Sequence, residues 1–464
     1  MTVMVRLLVR VEIEAGRAAP VRVARGLLSA LQRPPGRHVL RFGTRHVRVR
    51  LDEDAGLPPG RVAVPAAVAE RLALPGGGRM AMQPVDAGLE LGPLVGLMVA
   101  RGVLARLRAE GVGRPFTAYA RHARELGAVL CLFSPADGQV DAKAITGYRP
   151  EERRGGRWHL TEARFPVPRV ILRRVFSDEG PESDPLTARG PEMGCTVLRI
   201  GRLTHLEGLQ LAATDGDLAP RIPWTRRLGP DTLAEALAAF PDLFVKPDVP
   251  SGGAGVYRLT RQDRGWRLMA AAEDRTGTQE LPDPRAVQAA LAALAAGPTA
   301  FVVQEALPLA TYLGNPFDVF ALVQPDARGH WDVSALLARV AAPGCVLTSP
   351  GAGGRVAPAE AALRHAFPTR WPQVCDELGR VARAAARAVD AGAGPRFELG
   401  VQLALLPDGA VRLLQVEGQP RLDDTLLLWD AYAAQRLYRC PIHRAVGLAL
   451  EWARAPLSPA APPA

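Results

Sequence analysis

The sequence predicts a mixed α+β and α/β protein of several domains, on three observations. Unbroken apolar runs such as AVLCLF (Ala128–Phe133) alternate with amphipathic helical stretches, the pattern of strands buried on both faces of a sheet. The N-terminal stretches VRLLVRVEIE and RHVRVRL instead alternate apolar and charged residues, as half-buried strands do. At 464 residues the chain is also longer than a single hydrophobic core usually supports.

Taken in order, residues 1–90 read as a β-rich domain with one short helix in VPAAVAERLALPGG, closed by proline and glycines. Residues 91–195 read as an α/β domain with a parallel sheet. It opens with LVGLMV, passes through the helix FTAYARHARELG and the strand AVLCLF, and returns to VILRRV. The polar Gly/Pro-rich stretch from Ser177 to Cys195 follows as a loop. Residues 196–452 hold the helix DTLAEALAAF, with Asp231 as its expected cap, then the strands FVKPDV and VYRLTRQ around a glycine loop. A second helix, PDPRAVQAALAALAAG, precedes the strand AFVVQEAL. Two long antiparallel strands then turn at Asp326–Gly329, a helix covers about Pro372–Ala391, and a hairpin turns at Pro407-Asp408-Gly409. Residues 453–464, rich in Pro and Ala, read as a disordered tail.

Composition excludes several classes. A net charge of +10 suggests an acidic partner, but the basic residues are dispersed and aromatics are only 5%, so a nucleic-acid surface is not expected. Five widely spaced cysteines without a CxxC argue against a disulfide framework or a zinc site. No apolar run is long enough to span a membrane and the N-terminus does not resemble a signal peptide, so a soluble, cytoplasmic protein is expected.

Of 57 basic residues only Lys143 and Lys246 are lysines. An ammonium reaches a phosphate oxygen as a point charge, without the planar geometry a guanidinium imposes. Lys246 ends an apolar strand and precedes Ser251, Gly252, Gly253, Ala254 and Gly255, an arrangement suited to a nucleotide phosphate.

The segments LELGPLVGL, ITGYRP, FPVPRVILRRV, IPWTRRL, FVKPDVPSGGAGVYRL, FVVQEALPLA, FDVFALVQPDARGHWDVSALLARVA and FELGVQLALLPDGAVRLLQVEGQP follow one another in that order. As a series, from about residue 88 to 450, they resemble the YheC/YheD-type ATP-grasp proteins of spore-forming bacteria, described as endospore-coat-associated. The resemblance implies an ATP-grasp fold, two α+β lobes holding ATP between them, preceded by the small α/β domain and the β-rich domain. It implies that Lys246 bonds the nucleotide phosphates and that Ser251, Gly252, Gly253 and Gly255 form a flexible phosphate lid. It implies that Gln304, Glu305, Ala306 and Leu307 read adenine through backbone groups and hold ribose through a carboxylate. Asp318 and Arg339 would face the transferred phosphoryl group and the acceptor, or pair with each other as a structural ion pair.

The implied chemistry is ATP-dependent ligation of a carboxylate to an amine or thiol through an acyl phosphate, with nucleotide, a carboxylate substrate and spore-coat proteins as partners. Several positions depart from the pattern. Ala254 stands for a lysine and Phe320 for an arginine, and no lysine precedes the helix near residue 206. Gln402 and Gln415 stand where carboxylates would hold Mg²⁺, which leaves Glu417 as the anionic metal ligand. A second expectation follows, of a catalytically degenerate scaffold or nucleotide sensor in spore assembly.

Overall fold

The computed structural model describes residues 6–15, 20–85, 88–137, 144–176, 186–187, 190, 192–249, 254–270, 278–345, 347–420 and 431–454. The chain divides into two compact units. One comprises Met1–Ile200, Pro325–His330 and Tyr438–Ala464; the other comprises Gly201–Gln324 and Trp331–Leu437.

The first unit begins with a closed barrel of β1 (Leu7–Glu14), β2 (Val21–Ala24), β3 (Gly36–Phe42), β4 (Arg45–Asp54), β5 (Arg61–Pro65), β6 (Gly78–Val85) and β7 (Gly88–Leu91), in the order β1-β5-β2-β4-β3-β7-β6. Period-two alternation builds it: Val47, Val49 and Leu51 of β4 enter the core while Arg48 and Arg50 face outward. Gly92 and Pro93 separate β7 from β8 (Leu94–Val99), so ELGPLVGL spans the end of the barrel and the start of the next sheet.

That sheet adds β9 (Val129–Phe133), β10 (Ile145–Glu152), β11 (Trp158–Phe165), β12 (Val170–Arg174) and β13 (Thr196–Arg199), in the order β11-β10-β9-β8-β12-β13. It is mixed, whereas the apolar runs predicted a parallel sheet. β8, β9, β12 and β13 are parallel, but β10 pairs antiparallel with both β9 and β11. Their half-exposed patterns mark them as an edge hairpin, and the continuous apolar runs lie only in the central strands. Most of the predicted loop at Ser177–Cys195 lies outside the described residues.

The second unit holds two further sheets. The first contains β14 (Thr225–Arg227), β15 (Asp242–Pro247), β16 (Tyr257–Arg261), β17 (Trp266–Ala270), β18 (Thr278–Leu281) and β19 (Phe301–Glu305), ordered β14-β19-β15-β16-β17-β18. Helices Pro230–Ala239 and Pro284–Ala296 cover it, packing Leu233, Leu237, Val287 and Leu291 against Leu243, Val245 and Leu259. The first helix is capped by Gly229 with Pro230 at its first position, so Asp231 sits inside the first turn and is not the cap.

The second sheet contains β20 (Thr311–Tyr312), β21 (Asn315–Pro325), β22 (Trp331–Val340), β23 (Arg355–Pro358), β24 (Leu399–Leu405) and β25 (Val411–Glu417). Its order is β23-β22-β21-β24-β25, with β20 paired to β21. Helix Trp371–Ala393 buries Leu378, Val381, Ala385 and Val389 against it. The last helix, Ala431–Arg454, runs through residues 453–454, where the disordered tail was expected to begin, and 455–464 lie outside the described residues. Among the described residues no helix is long and apolar enough to cross a membrane.

Candidate functional site

Strand parity turns a few polar side chains of the second unit away from its two cores. In β15, Leu243 and Val245 pack beneath the helices, so Phe244 and Lys246 emerge on the opposite face. In β19, Val303 joins that helical core and Gln304 emerges beside Lys246. In β21, Phe317, Val319, Ala321 and Val323 face the second core, and Asp318 and Phe320 face away from it. Arg339 of β22 emerges in the same way, between Ala338 and Val340. In β25 the parity would fail without a bulge. The register slips between Gln402 and Leu403, so Val411, Leu413 and Val416 are all buried while Gln415 and Glu417 turn toward the cavity.

These faces enclose a cavity of ≈ 170 Å³. Of the residues singled out from the sequence, Lys246, Gln304, Glu305, Leu307, Asp318, Arg339 and Glu417 line it, together with Gln402 and Gln415. Ala306 is not among the lining residues; its N–H donates to the Asp242 carbonyl at 3.0 Å. Gly255, at φ +71°, sits against Pro247 and is likewise outside the lining. Ser251, Gly252 and Gly253 lie outside the described residues.

The Lys246 ammonium donates to Gln304 Oε1 at 2.9 Å, and Gln304 Nε2 donates to Thr225 Oγ1 at 2.9 Å. Gln304 therefore acts on the cavity through its side chain as well as belonging to the strand. Burial pulls the Lys246 pKa down to about 8, against the opposing pull of Asp248 and Asp318. Asp318 is buried; its Oδ2 accepts from Gln402 Nε2 at 2.8 Å and also from the Thr348 hydroxyl. Its Oδ1 has no hydrogen-bond partner among the described residues. Burial raises the Asp318 pKa even though Arg339, Thr348, Gln402 and Lys246 all act to lower it.

Arg339 stacks on the Phe320 ring at 4.1 Å and approaches Glu417 at 4.0 Å. Phe320 fits because residue 400 is glycine: a Cβ there would meet the ring at 2.7 Å.

Sequence reasoning did not single out His205, Thr348, Ser349 or Phe244, which also line the cavity. Thr204 and Glu207 form a capping box that makes His205 the first residue of helix His205–Ala212. The T-x-x-E spacing ahead of an apolar run was the signal that could have located it. His205 is buried with Nδ1 unpartnered among the described residues, and burial together with Lys246 holds its pKa well below the ordinary value.

The Mg²⁺ that this fold family implies needs several hard anionic oxygens in octahedral array. Glu417 has Arg339 beside it, Gln402 and Gln415 are neutral, and Asp318 engages Thr348 and Gln402 through Oδ2, which leaves its buried Oδ1 as a single anionic oxygen rather than a set. Among the described residues no three His, Cys, Asp or Glu side chains are grouped as a metal site. The described residues do not fit a Mg²⁺ centre.

Two helix-covered sheets meeting over a strand-borne lysine define the ATP-grasp class. The family described as YheC/D like ATP-grasp matches residues 203–448, more than half of the chain, and the chain belongs to it. Over 214 residues it is 24% identical to the endospore coat-associated protein YheD of Bacillus subtilis (strain 168), a match covering 46% of this chain and 47% of that protein. The match thus spans about half the length of that relative.

Solved structures with similar folds include the ATP-grasp ligase PsnB (14% identity, 75% of this chain and 98% of that one, TM-score 0.42). D-cycloserine synthetase DcsG is similar at 15% identity, over 77% of this chain and 99% of its own, with a TM-score of 0.42. The D-alanine-D-alanine ligase of Coxiella burnetii is similar at 10% identity, over 77% and 96%, with a TM-score of 0.42.

Proposed function

We propose that this protein binds ATP in the cavity of its second unit and carries an ATP-dependent ligase-type site weakened at its metal-binding end. The observation that carries this reading is the Lys246 ammonium in the wall of a cavity that also holds Arg339. Two cations converging on one small cavity suit a polyanion such as a nucleotide's phosphates. Glu305 and Leu307, in the same wall, would hold the nucleoside.

In the ligase reaction a substrate carboxylate oxygen attacks the γ-phosphorus, and the bond to the β–γ bridging oxygen breaks, releasing ADP. An amine or thiol then attacks the acyl phosphate carbonyl, and inorganic phosphate and a proton leave. Arg339 would stabilise charge developing on the transferred phosphoryl. Lys246 supplies a second positive charge for the phosphate chain. Phe320 supplies no charge, and removing one preorganised donor typically lowers turnover about 10²–10³-fold. Slow turnover follows, and the neutral Gln402 and Gln415 favour a second reading: a nucleotide-sensing scaffold that binds without turning over. The name of the relative YheD supports placing either role at the spore coat.

Calorimetric titration of ATP and ADP into the purified protein, with and without Mg²⁺, tests both. Binding that Mg²⁺ barely strengthens supports the proposal. No binding of either nucleotide overturns it, and rapid Mg²⁺-dependent ADP release in the presence of a carboxylate and an amine overturns the weakened site.

A further inference from the structure

The first unit contains a cleft of ≈ 1000 Å³ that the nucleotide site does not use. On its barrel wall β5, β1 and β6 lie side by side, and the register sets Arg10 opposite both Arg61 and Arg79. Val9 and Val11 point into the barrel, so these arginines share its outer face. Neighbouring strands are about 4.8 Å apart, and like charges at facing positions are destabilising. Glu12 pairs with Arg61, but among the described residues no carboxylate pairs with Arg10 or Arg79. Arg10 and Arg79, facing each other without a carboxylate, fit an external anion.

The other wall carries Arg124, Arg149 and Arg153 with Glu151 and Glu152. Arg124 bonds Glu152 at 2.9 Å and Arg149 pairs with Glu151, while Arg153 has no carboxylate partner among the described residues. Trp158 also lines the cleft, 7% exposed, and its indole N–H has no acceptor among the described residues. Leu8, two residues before Arg10 on the same strand face, is 43% exposed at the cleft.

We propose that this cleft binds an extended acidic polypeptide segment. Its carboxylates would accept from Arg10 and Arg79, an apolar side chain would cover Leu8, and a main-chain carbonyl would accept from Trp158 Nε1. The mixture of features selects this occupant. A polyphosphate has nothing apolar to place on Leu8. Single-stranded nucleic acid needs open aromatic faces to stack on, and the Trp158 ring is already covered by Arg121 and Arg124. The proposal is independent of the ATP-site reading.

The test is fluorescence anisotropy of a labelled peptide carrying Glu and Leu at alternate positions of a serine background, titrated with the full-length protein. The sequence-matched peptide with Lys for Glu serves as control. The Arg10→Ser/Arg79→Ser double variant should bind at least about tenfold more weakly. It should melt no lower than the parent, because a repulsive pair has been removed. Trp158→Phe should weaken binding several-fold without changing its salt dependence. Equal affinity of the double variant and the parent overturns the proposal. Tighter binding of inorganic polyphosphate or a single-stranded oligonucleotide than of the acidic peptide also overturns it, as does equal binding of the Lys peptide.

Discussion

Replacing Lys246 by methionine separates a stability effect from a binding effect at the same atom. The side chain keeps its length and loses its charge, so the cavity stays filled. Lys246 has a pKa of about 8 in the folded chain against an ordinary 10.5. At 1.36 kcal/mol per unit, holding the buried ammonium protonated costs about 3 kcal/mol. The sign follows from proton counts: between those two values the unfolded chain binds more protons than the folded one, so stability rises with pH through that window. Below about pH 8 the full penalty is present. The methionine variant has no such dependence. Its loss of the bond to Gln304 Oε1 is a fixed offset that leaves the pH profile unchanged.

Urea unfolding at about pH 7.5 and about pH 10.5 should therefore show the parent gaining roughly 3 kcal/mol relative to Lys246→Met. In the same protein ATP affinity at neutral pH should fall about ten- to a hundredfold, the range for a lost hydrogen bond to a charged group. Parallel pH profiles would show that the ammonium is not buried as described. Unchanged ATP affinity would remove Lys246 from the site.

Further outcomes follow from the same geometry. ATP binding near pH 8 should take up a fraction of a proton, because phosphate oxygens raise the Lys246 pKa; calorimetry in buffers of different ionisation enthalpy measures it. Gly400→Ala should lower stability by about 1–3 kcal/mol, because its Cβ meets the Phe320 ring, and should weaken ATP binding by displacing Arg339; denaturation and nucleotide titration read the two effects. Gln402→Asp with Gln415→Glu should make nucleotide binding depend on Mg²⁺, while lowering metal-free stability because residue 402 then sets a carboxylate against Asp318; titration and melting with and without metal show both. Thr204→Ala removes the cap that places His205 and should lower stability by about 0.5–2 kcal/mol in thermal or urea unfolding.

Much of this arrangement was legible in the sequence because it is local. Period-two alternation in RHVRVRL and continuous apolar runs such as VILRRV give strand faces directly, since each depends only on neighbours in the chain. The isolated Lys246 before a glycine loop, and the ordered series of segments around it, named the family before any contact was known. Other features depended on partners far away in the chain. No local pattern shows that Phe320 owes its place to Gly400, or that Arg339 lies on that ring near Glu417. Parity alone would turn Gln415 and Val416 the wrong way. The bulge that re-aims them exists only because β24 and β25 pair out of step. The antiparallel β10–β11 edge escaped the parallel expectation because pairing direction is set by how a connection returns, not by the apolarity of a strand. His205 and Thr348 reach the cavity from a helix start and a loop, and desolvation there, a property of the assembled interior, moves the Lys246, His205 and Asp318 pKa values. Sequence determines which side chains are available and which faces they share along one element. Tertiary packing decides which faces meet, and so how much water each charge keeps.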